Sequence, residues 1–371
     1  LDNPDPAALA QTVVWGALAL GLVFGAVAAR TNFCTMGAVS DAVNIGDWTR
    51  MRMWLFAIAV AVLGTAGLQL AGLVDTGKSI YTASSLAWLS HLVGGLLFGF
   101  GMVIASGCGA KTLVRIGTGN LKSVIVVMVM AITAYMTLRG LFGVFRVAAL
   151  DPVAVKLSTP QDLPSMLAAS TGAARATVLV VVALALSLLL AGWSLASREF
   201  RRADPLLGSL VVGLLVVAGW YLSGHVGHLA EDPQTLEERF YATNSGRMES
   251  FSFVSPAAYL LELLMLWSDK SRVVTFGIAG SLGVVGGSFL HAIATRGFRL
   301  ESFRDAEDLL NHIAGGALMG FGGVLALGCT VGQGITGLST LALGSFISFG
   351  AVVCGALLAF RYQVWRIEQM D

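Results

Sequence analysis

"HLVGGLLFGFGMVIASGC" occupies residues 91–108, and "HIAGGALMGFGGVLALGC" occupies residues 312–329. Both begin on histidine, carry glycines at the same offsets and close on Gly-Cys, with a constant separation of 221 residues. Each is apolar over nearly the length of a membrane-crossing helix, which takes about 20 residues. A segment rich in Gly, Thr and Ser follows each copy: "GAKTLVRIGTGN" at 109–120 and "TVGQGITGLSTLALGS" at 330–345. Irregular backbone at membrane depth survives only where protein buries it or where it lines a cavity. The duplication therefore predicts two helices that stop inside the bilayer, each followed by a short re-entrant helix, with both breaks near the membrane centre, as in many transporters.

The rest of the chain agrees with a lipid solvent. Of 371 residues, 56% are hydrophobic and 12% are charged, against roughly 25% charged in soluble proteins. The expected fold is an all-α integral membrane protein. Apolar runs at 12–29, 51–73, 86–107, 123–141, 176–196, 206–222, 256–267, 273–294, 309–328 and 341–360 give nine or ten transmembrane helices, the run at 256–267 being short for a crossing. We expect one polytopic domain over 1–371, with repeat halves of roughly 12–142 and 272–360 joined by 143–271. Outside the duplicated motif the only further match is between 22–41 and 284–303, and the second copy there has no cysteine. Arg198, Arg201 and Arg202 mark a cytoplasmic loop, and the acidic loop around Glu231 lies outside. A net charge of +1 offers no basic surface for nucleic acid. Four cysteines without a CxxC spacing argue against a zinc cluster, so no metal and no cofactor is expected.

Cys108 and Cys329 are the residues that the duplication singles out. Gly107 and Gly328 precede them and are expected to make the sharp turn; Gly109 and Thr330 follow. A helix starting after each cysteine would turn free N–H groups and a partial positive charge toward the thiol, which suits an anion. A thiol is a weak donor and a soft acceptor, fitting a sulfur-bearing anion better than chloride or phosphate. Cys34, in "RTNFCTMGAVSD" (30–41), follows the first span in a polar stretch that could fold back as a further re-entrant element. Lys111 and Arg115 lie one turn apart after Cys108; two readings are open, neutralising a dianion or snorkelling to the cytoplasmic face. Gln333 is a candidate polar contact one turn beyond Cys329. Cys354 reads as helix packing, and His91 and His312 as interfacial or capping residues. The histidine-rich "HVGHLAED" (225–232) reads as a solvated loop. "GLVDTGKS" (72–79) matches a P-loop letter for letter, but a membrane-length apolar run precedes it and another follows, so nucleotide binding is rejected.

On "NFC", "GGLLFGFGMVIASGCG" and "GGALMGFGGVLALGCTVGQG", the chain resembles the YeeE/YedE family of sulfur-transport membrane proteins, over about residues 20–360. The resemblance implies a permease of the bacterial cytoplasmic membrane, not an enzyme, that takes up thiosulfate. It places Cys34, Cys108 and Cys329 along the substrate path. It also implies a separate small sulfur carrier or sulfurtransferase as a cytoplasmic partner, since no Cys-Pro pair occurs in this chain. Transport of another sulfur or selenium species, and a membrane sulfurtransferase-like thiol enzyme, stay open as alternatives at this point.

Overall fold

A computed structural model describes residues 5–233 and 235–369. Asp5 accepts a hydrogen bond from the Ala7 amide, and Pro6 pre-sets the first turn; together they start α1 (Pro6–Thr31). It is followed by α2 (Thr35–Asn44), α3 (Thr49–Leu70), α4 (Trp88–Ile104), α5 (Gly109–Gly117), α6 (Leu121–Arg139), α7 (Leu141–Phe145) and α8 (Leu163–Thr171). The remaining helices are α9 (Arg175–Leu195), α10 (Ala203–Tyr221), α11 (Val254–Met265), α12 (Phe276–Ala294), α13 (Ala306–Leu325) and α14 (Leu343–Glu368). Two pairs of two-residue strands, Ser85–Leu86 with Val155–Lys156 and His228–Leu229 with Arg239–Phe240, tie loops together.

The protein is an all-α, multi-pass membrane protein. Eight helical segments among the described residues are long and apolar enough to cross a bilayer, fewer than the nine or ten expected. The run at 256–267 forms α11, whose 12 residues are too short. The run at 309–328 forms α13, where glycines and the Asn311–His312 pair dilute the apolar character, and α13 is sheltered between α4 and α6.

The loops sort onto two faces. On one, Arg30 pairs with Asp204 at 2.8 Å, Arg52 donates to the Trp193 carbonyl, and the backbone at Asn120 pairs with Glu301. This face carries Arg198, Arg201 and Arg202, and is called here the arginine-rich face. On the other, Ser79 pairs with Met248, Lys78 with Glu238, and Asp162 with Ala342. The rejected P-loop lies on this second face: Thr76–Lys78 is one 3₁₀ turn whose lysine is held by Glu238. His228 contacts Glu238 at 2.6 Å in the neighbouring loop.

Glycine decides how the duplicated helices meet. α4 and α13 cross antiparallel, with Gly101 against Gly315 and Gly94 against Gly322. A β-carbon on Gly322 would lie 2.6 Å from the Gly94 carbonyl oxygen, and one on Gly101 would lie 2.7 Å from that of Gly315. The backbones touch, an approach open only to the smallest residues. Gly95 and Gly99 use the adjacent stripe of α4 to receive α14, just as Gly316 and Gly320 use that of α13 to receive α6. By contrast, α1 and α12 run parallel, Gly21 facing Gly280 and Gly25 facing Val284.

His91 and His312 lie near the starts of α4 and α13 and are buried by protein. His91 Nδ1 lies 2.7 Å from Ser348 Oγ on α14, and His312 Nδ1 lies 2.7 Å from the Asp308 carbonyl. Cys354 departs from expectation: it lies on the exposed side of α14 and packs against nothing in the core. Lipid and protein interior are equally apolar, so composition does not tell the two faces of such a helix apart.

Candidate functional site

Three free, buried cysteines share one local construction. Asn32, Ser106 and Leu327 each take a left-handed backbone, with φ of 51°, 57° and 58°. Each stands two residues before a cysteine, and each cysteine directly precedes a helix: Cys34 before α2, Cys108 before α5, and Cys329 before a helical stretch from Thr330 that contains a π-turn at Gly332–Gly337.

The helix stops before Cys108 and Cys329 are closed by the same hydrogen bonds. Gly107 N donates to the Met102 carbonyl at 2.8 Å and Ser106 N to that of Val103 at 3.1 Å; Gly328 N donates to Gly323 at 2.8 Å and Leu327 N to Val324 at 3.1 Å. This is the Schellman pattern, which satisfies carbonyls that a helix end leaves free. It corrects the expectation for Gly107 and Gly328. The left-handed residue is the one before each glycine, so neither glycine is required by a positive φ.

The helix starts orient the thiols. Cys34 Sγ accepts from Gly37 N at 3.5 Å and Cys329 Sγ from Gly332 N at 3.4 Å, each capping the first turn. Cys108 makes no such cap. Partial positive charge at a helix N-terminus falls on all three positions.

Tertiary structure then gathers the three. The Cys34 and Cys108 thiols lie side by side, and Thr330 lies beside Cys108. A β-carbon on Gly109 would stand 3.9 Å from Cys329 Cβ and 3.8 Å from Phe253 Cβ, so the backbone after Cys108 runs along Cys329. Exposure of the three cysteines is 3%, 1% and 0% in chain order, which closes the gathering point to bulk solvent. Aromatic rings wall it: Phe33 stacks on Trp54 at 4.7 Å, and Phe24 meets Phe251 and Phe253 at 5.6 and 5.5 Å.

Polar atoms remain inside this apolar wall. Among the described residues, no hydrogen-bond partner reaches the buried hydroxyls of Thr35 and Thr330, Gln333 Oε1 or Trp54 Nε1. Gln333 Nε2 donates to the Ala326 carbonyl, bracing the second helix stop. Thr35 and Trp54 are not among the residues the sequence singles out: adjacency to Cys34 is the signal for Thr35, and nothing local marks Trp54.

A chamber opens toward each face. The one away from the arginine-rich face has a volume of about 200 Å³ and is lined by Tyr81, Arg146, Glu249, Ser252, Tyr259 and Leu327, among others. A cavity of this size has room for a small ion with some of its water. It reaches the second helix stop through Leu327, and Ser252 packs on Gly332 near Cys329. The chamber on the arginine-rich face is lined by Asn32, Lys111, Arg115, Thr118, His291 and Arg299, among others. Lys111 Nζ donates to Asn32 Oδ1 at 3.1 Å, next to the Cys34–Cys108 pair, so Lys111 faces this chamber. Among the described residues no group of three or more His, Cys, Asp or Glu side chains is arranged to hold a metal ion.

Eight membrane-length helical segments, two helix stops with buried polar groups beside them and a chamber toward each face fit a polytopic transport protein. The family model described as "Sulphur transport" matches residues 30–358, and the chain belongs to that family. It is similar to the thiosulfate transporter TsuA of Escherichia coli strain K12, at 26% identity over 366 residues covering 94% of both chains. It is also similar to the thiosulfate transporter TsuA of Spirochaeta thermophila, at 25% identity over 350 residues, 91% of this chain and 94% of the relative. The resemblance read from the paired Gly-Cys motifs is thereby confirmed.

Proposed function

We propose that the protein is a permease that takes up thiosulfate through the bacterial cytoplasmic membrane, with the arginine-rich face in the cytoplasm, as the positive-inside rule requires. The ion enters the chamber at Tyr81 and Ser252, passes Cys329, Cys108 and Cys34 in turn, and leaves beside Lys111. The observation that carries this reading is the meeting of three buried thiols from three separate chain breaks between chambers on opposite faces. Thiosulfate has a soft terminal sulfur and hard oxygens. The thiols serve the first as weak donors, and the helix N-termini, Thr330 and the Gln333 side chain serve the second. Buried polar groups without partners cost about 1–3 kcal/mol each, and are retained where they serve a polar ligand. Gly109 supports the path by leaving open the space beside Cys329, and Gly107 and Gly328 keep the two turns slim.

Sulfur is relayed without a covalent bond in this reading. A persulfide on any of the thiols would slow release. Inward movement of a dianion against 100 mV costs about 4.6 kcal/mol, at about 2.3 kcal/mol per charge. Consumption of the ion by a separate cytoplasmic sulfur carrier or sulfurtransferase offsets that cost. Growth on thiosulfate as sole sulfur source tests the reading: Cys34→Ala, Cys108→Ala and Cys329→Ala should each impair it in a strain dependent on this protein. Growth equal to that of the parent in all three would sink the thiol path. A stable added sulfur found by mass spectrometry after thiosulfate exposure would instead favour a thiol enzyme.

The re-entrant pairs belong, in our proposal, to an inverted repeat of 6–139 and 203–368, so the second half begins before residue 272. What supports it is matched packing. α1 packs on α12 as α10 packs on α3; α4 packs on α14 as α13 packs on α6; α2 contacts α4 as α11 contacts α13. In this scheme α1 corresponds to α10, and the weak likeness of 22–41 to 284–303 is set aside because α1 and α12 run parallel.

A further inference from the structure

The chamber on the arginine-rich face has more positive charge than its own residues balance. Among the described residues, Lys111, Arg115 and Arg299 line it and none forms an ion pair. Lys111 is held by the neutral Asn32 amide oxygen at 3.1 Å, and Arg115 Nη1 donates to the Ser106 carbonyl at 2.6 Å. Glu301 is the carboxylate at the rim, and it is engaged by Asn120 Nδ2 at 2.6 Å. The adjoining cleft is built differently: there Lys122 is neutralised by Asp308 at 2.6 Å. Lys111 and Arg115 are partly buried, where a cation without a counter-charge is costly; Arg299 stands exposed beside them, and guanidinium groups match the geometry of oxyanions. Three cations against one carboxylate leave about the charge that a dianion would cancel.

We propose that this chamber is a second anion site, for a tetrahedral oxyanion dianion, and that its occupancy from the arginine-rich side holds back the ion leaving Cys34. The inference rests on the thiol path proposed above, because the ion held back is the one that leaves Cys34 beside Lys111. The ligand is either the transported ion after passage or a free oxyanion such as sulfate on that side. The site acts as a brake: as the anion accumulates, uptake slows before any equilibrium is reached.

The test uses proteoliposomes holding the full-length chain, loaded with potassium sulfate or with potassium gluconate at equal ionic strength. The readout is the ratio of radiolabelled thiosulfate uptake rates in the two loadings, taken within one variant. Sulfate loading should slow uptake by roughly fivefold or more, the lower range of coupling between two sites. In Arg299→Gln, an exposed position, the ratio should return to one, while Lys122→Gln in the neighbouring cleft keeps it. Vesicles loaded with unlabelled thiosulfate separate the sources: slowing by thiosulfate and not by sulfate upholds the site for the transported ion alone. Equal rates in all loadings, or an unchanged ratio in Arg299→Gln, would overturn the proposal. If no thiosulfate enters at all, the transport reading fails by itself. The site is then decided by thermal unfolding in detergent: a sulfate-dependent rise that Arg299→Gln abolishes upholds it, and no rise overturns it.

Discussion

The two helix stops are built alike and lead to different surroundings. Ser106 and Leu327 occupy the same left-handed position, closed by the same two hydrogen bonds, and each delivers a cysteine to a helix start. After Cys108 the chain runs into α5, which carries Lys111 and Arg115 to a charged chamber. After Cys329 it runs into a π-turn of buried, uncharged residues, Gly332–Gly337, braced by Gln333. Local sequence thus specifies how a helix ends, and the residues after the stop specify what the end faces. The cation-bearing break lies toward the chamber on the arginine-rich face and the neutral break toward the other chamber, which in the proposed path are the sides of release and of entry.

The comparison breaks most severely at the crossing that both stops share. Gly322→Val and Gly101→Val each drive a side chain into a facing backbone atom. Overpacking of this kind costs about 1–3 kcal/mol where neighbours can move. Here backbone must move, so both variants should lose most of their monodisperse yield in detergent. A near-normal yield from either would mean that the two helices do not depend on one contact. Gly350→Ala, with open space around it, is the control expected to behave as the parent.

Next come the thiols themselves. If the two stops contribute equally, Cys108→Ala and Cys329→Ala should slow uptake to a similar degree. The loss of one hydrogen bond of about 1–1.5 kcal/mol corresponds to roughly tenfold. Rates that differ by far more than this would show that one stop is the true constriction.

Lys111→Gln sharpens the difference between the stops, because the second has no equivalent cation. It should reduce uptake a few-fold without lowering the unfolding temperature, since its partner Asn32 is neutral and an uncompensated cation is removed. A variant of Gln333 offers the counterpart: Gln333→Leu removes the brace at the Ala326 carbonyl and should lower the unfolding temperature as well as uptake.

The smallest effect concerns the left-handed residues. A non-glycine residue in that conformation costs about 1–2 kcal/mol. Leu327→Gly should therefore raise the unfolding temperature slightly, with Ser106→Gly doing the same. A fall in either would show that the side chain contributes packing that outweighs its backbone strain.

Much of the site was legible because its signals are local. The recurrence of Gly-Cys at the end of an apolar helix follows from helix termination, which involves only a few consecutive residues. Hence Cys108, Cys329 and their flanking residues stood out, and "NFC" drew attention to Cys34. The turn glycines were misassigned because Asn, Ser and Leu occupy the left-handed positions, and only Asn is a residue type that favours that conformation. Cys354 departs from its expectation for another reason: which side of an apolar helix meets lipid depends on its neighbours.

By itself, the sequence determined that the protein lives in lipid, that two of its helices stop short, and that a thiol stands at each stop. Those features depend on composition and on hydrogen bonds within one turn of helix. Only the tertiary structure decided that α4 and α13 cross antiparallel, that Cys34 joins Cys108 and that the chambers open to opposite faces. The crossing arises from backbone contact that glycine permits without specifying its partner, and the other two from side chains brought together from far apart in the chain.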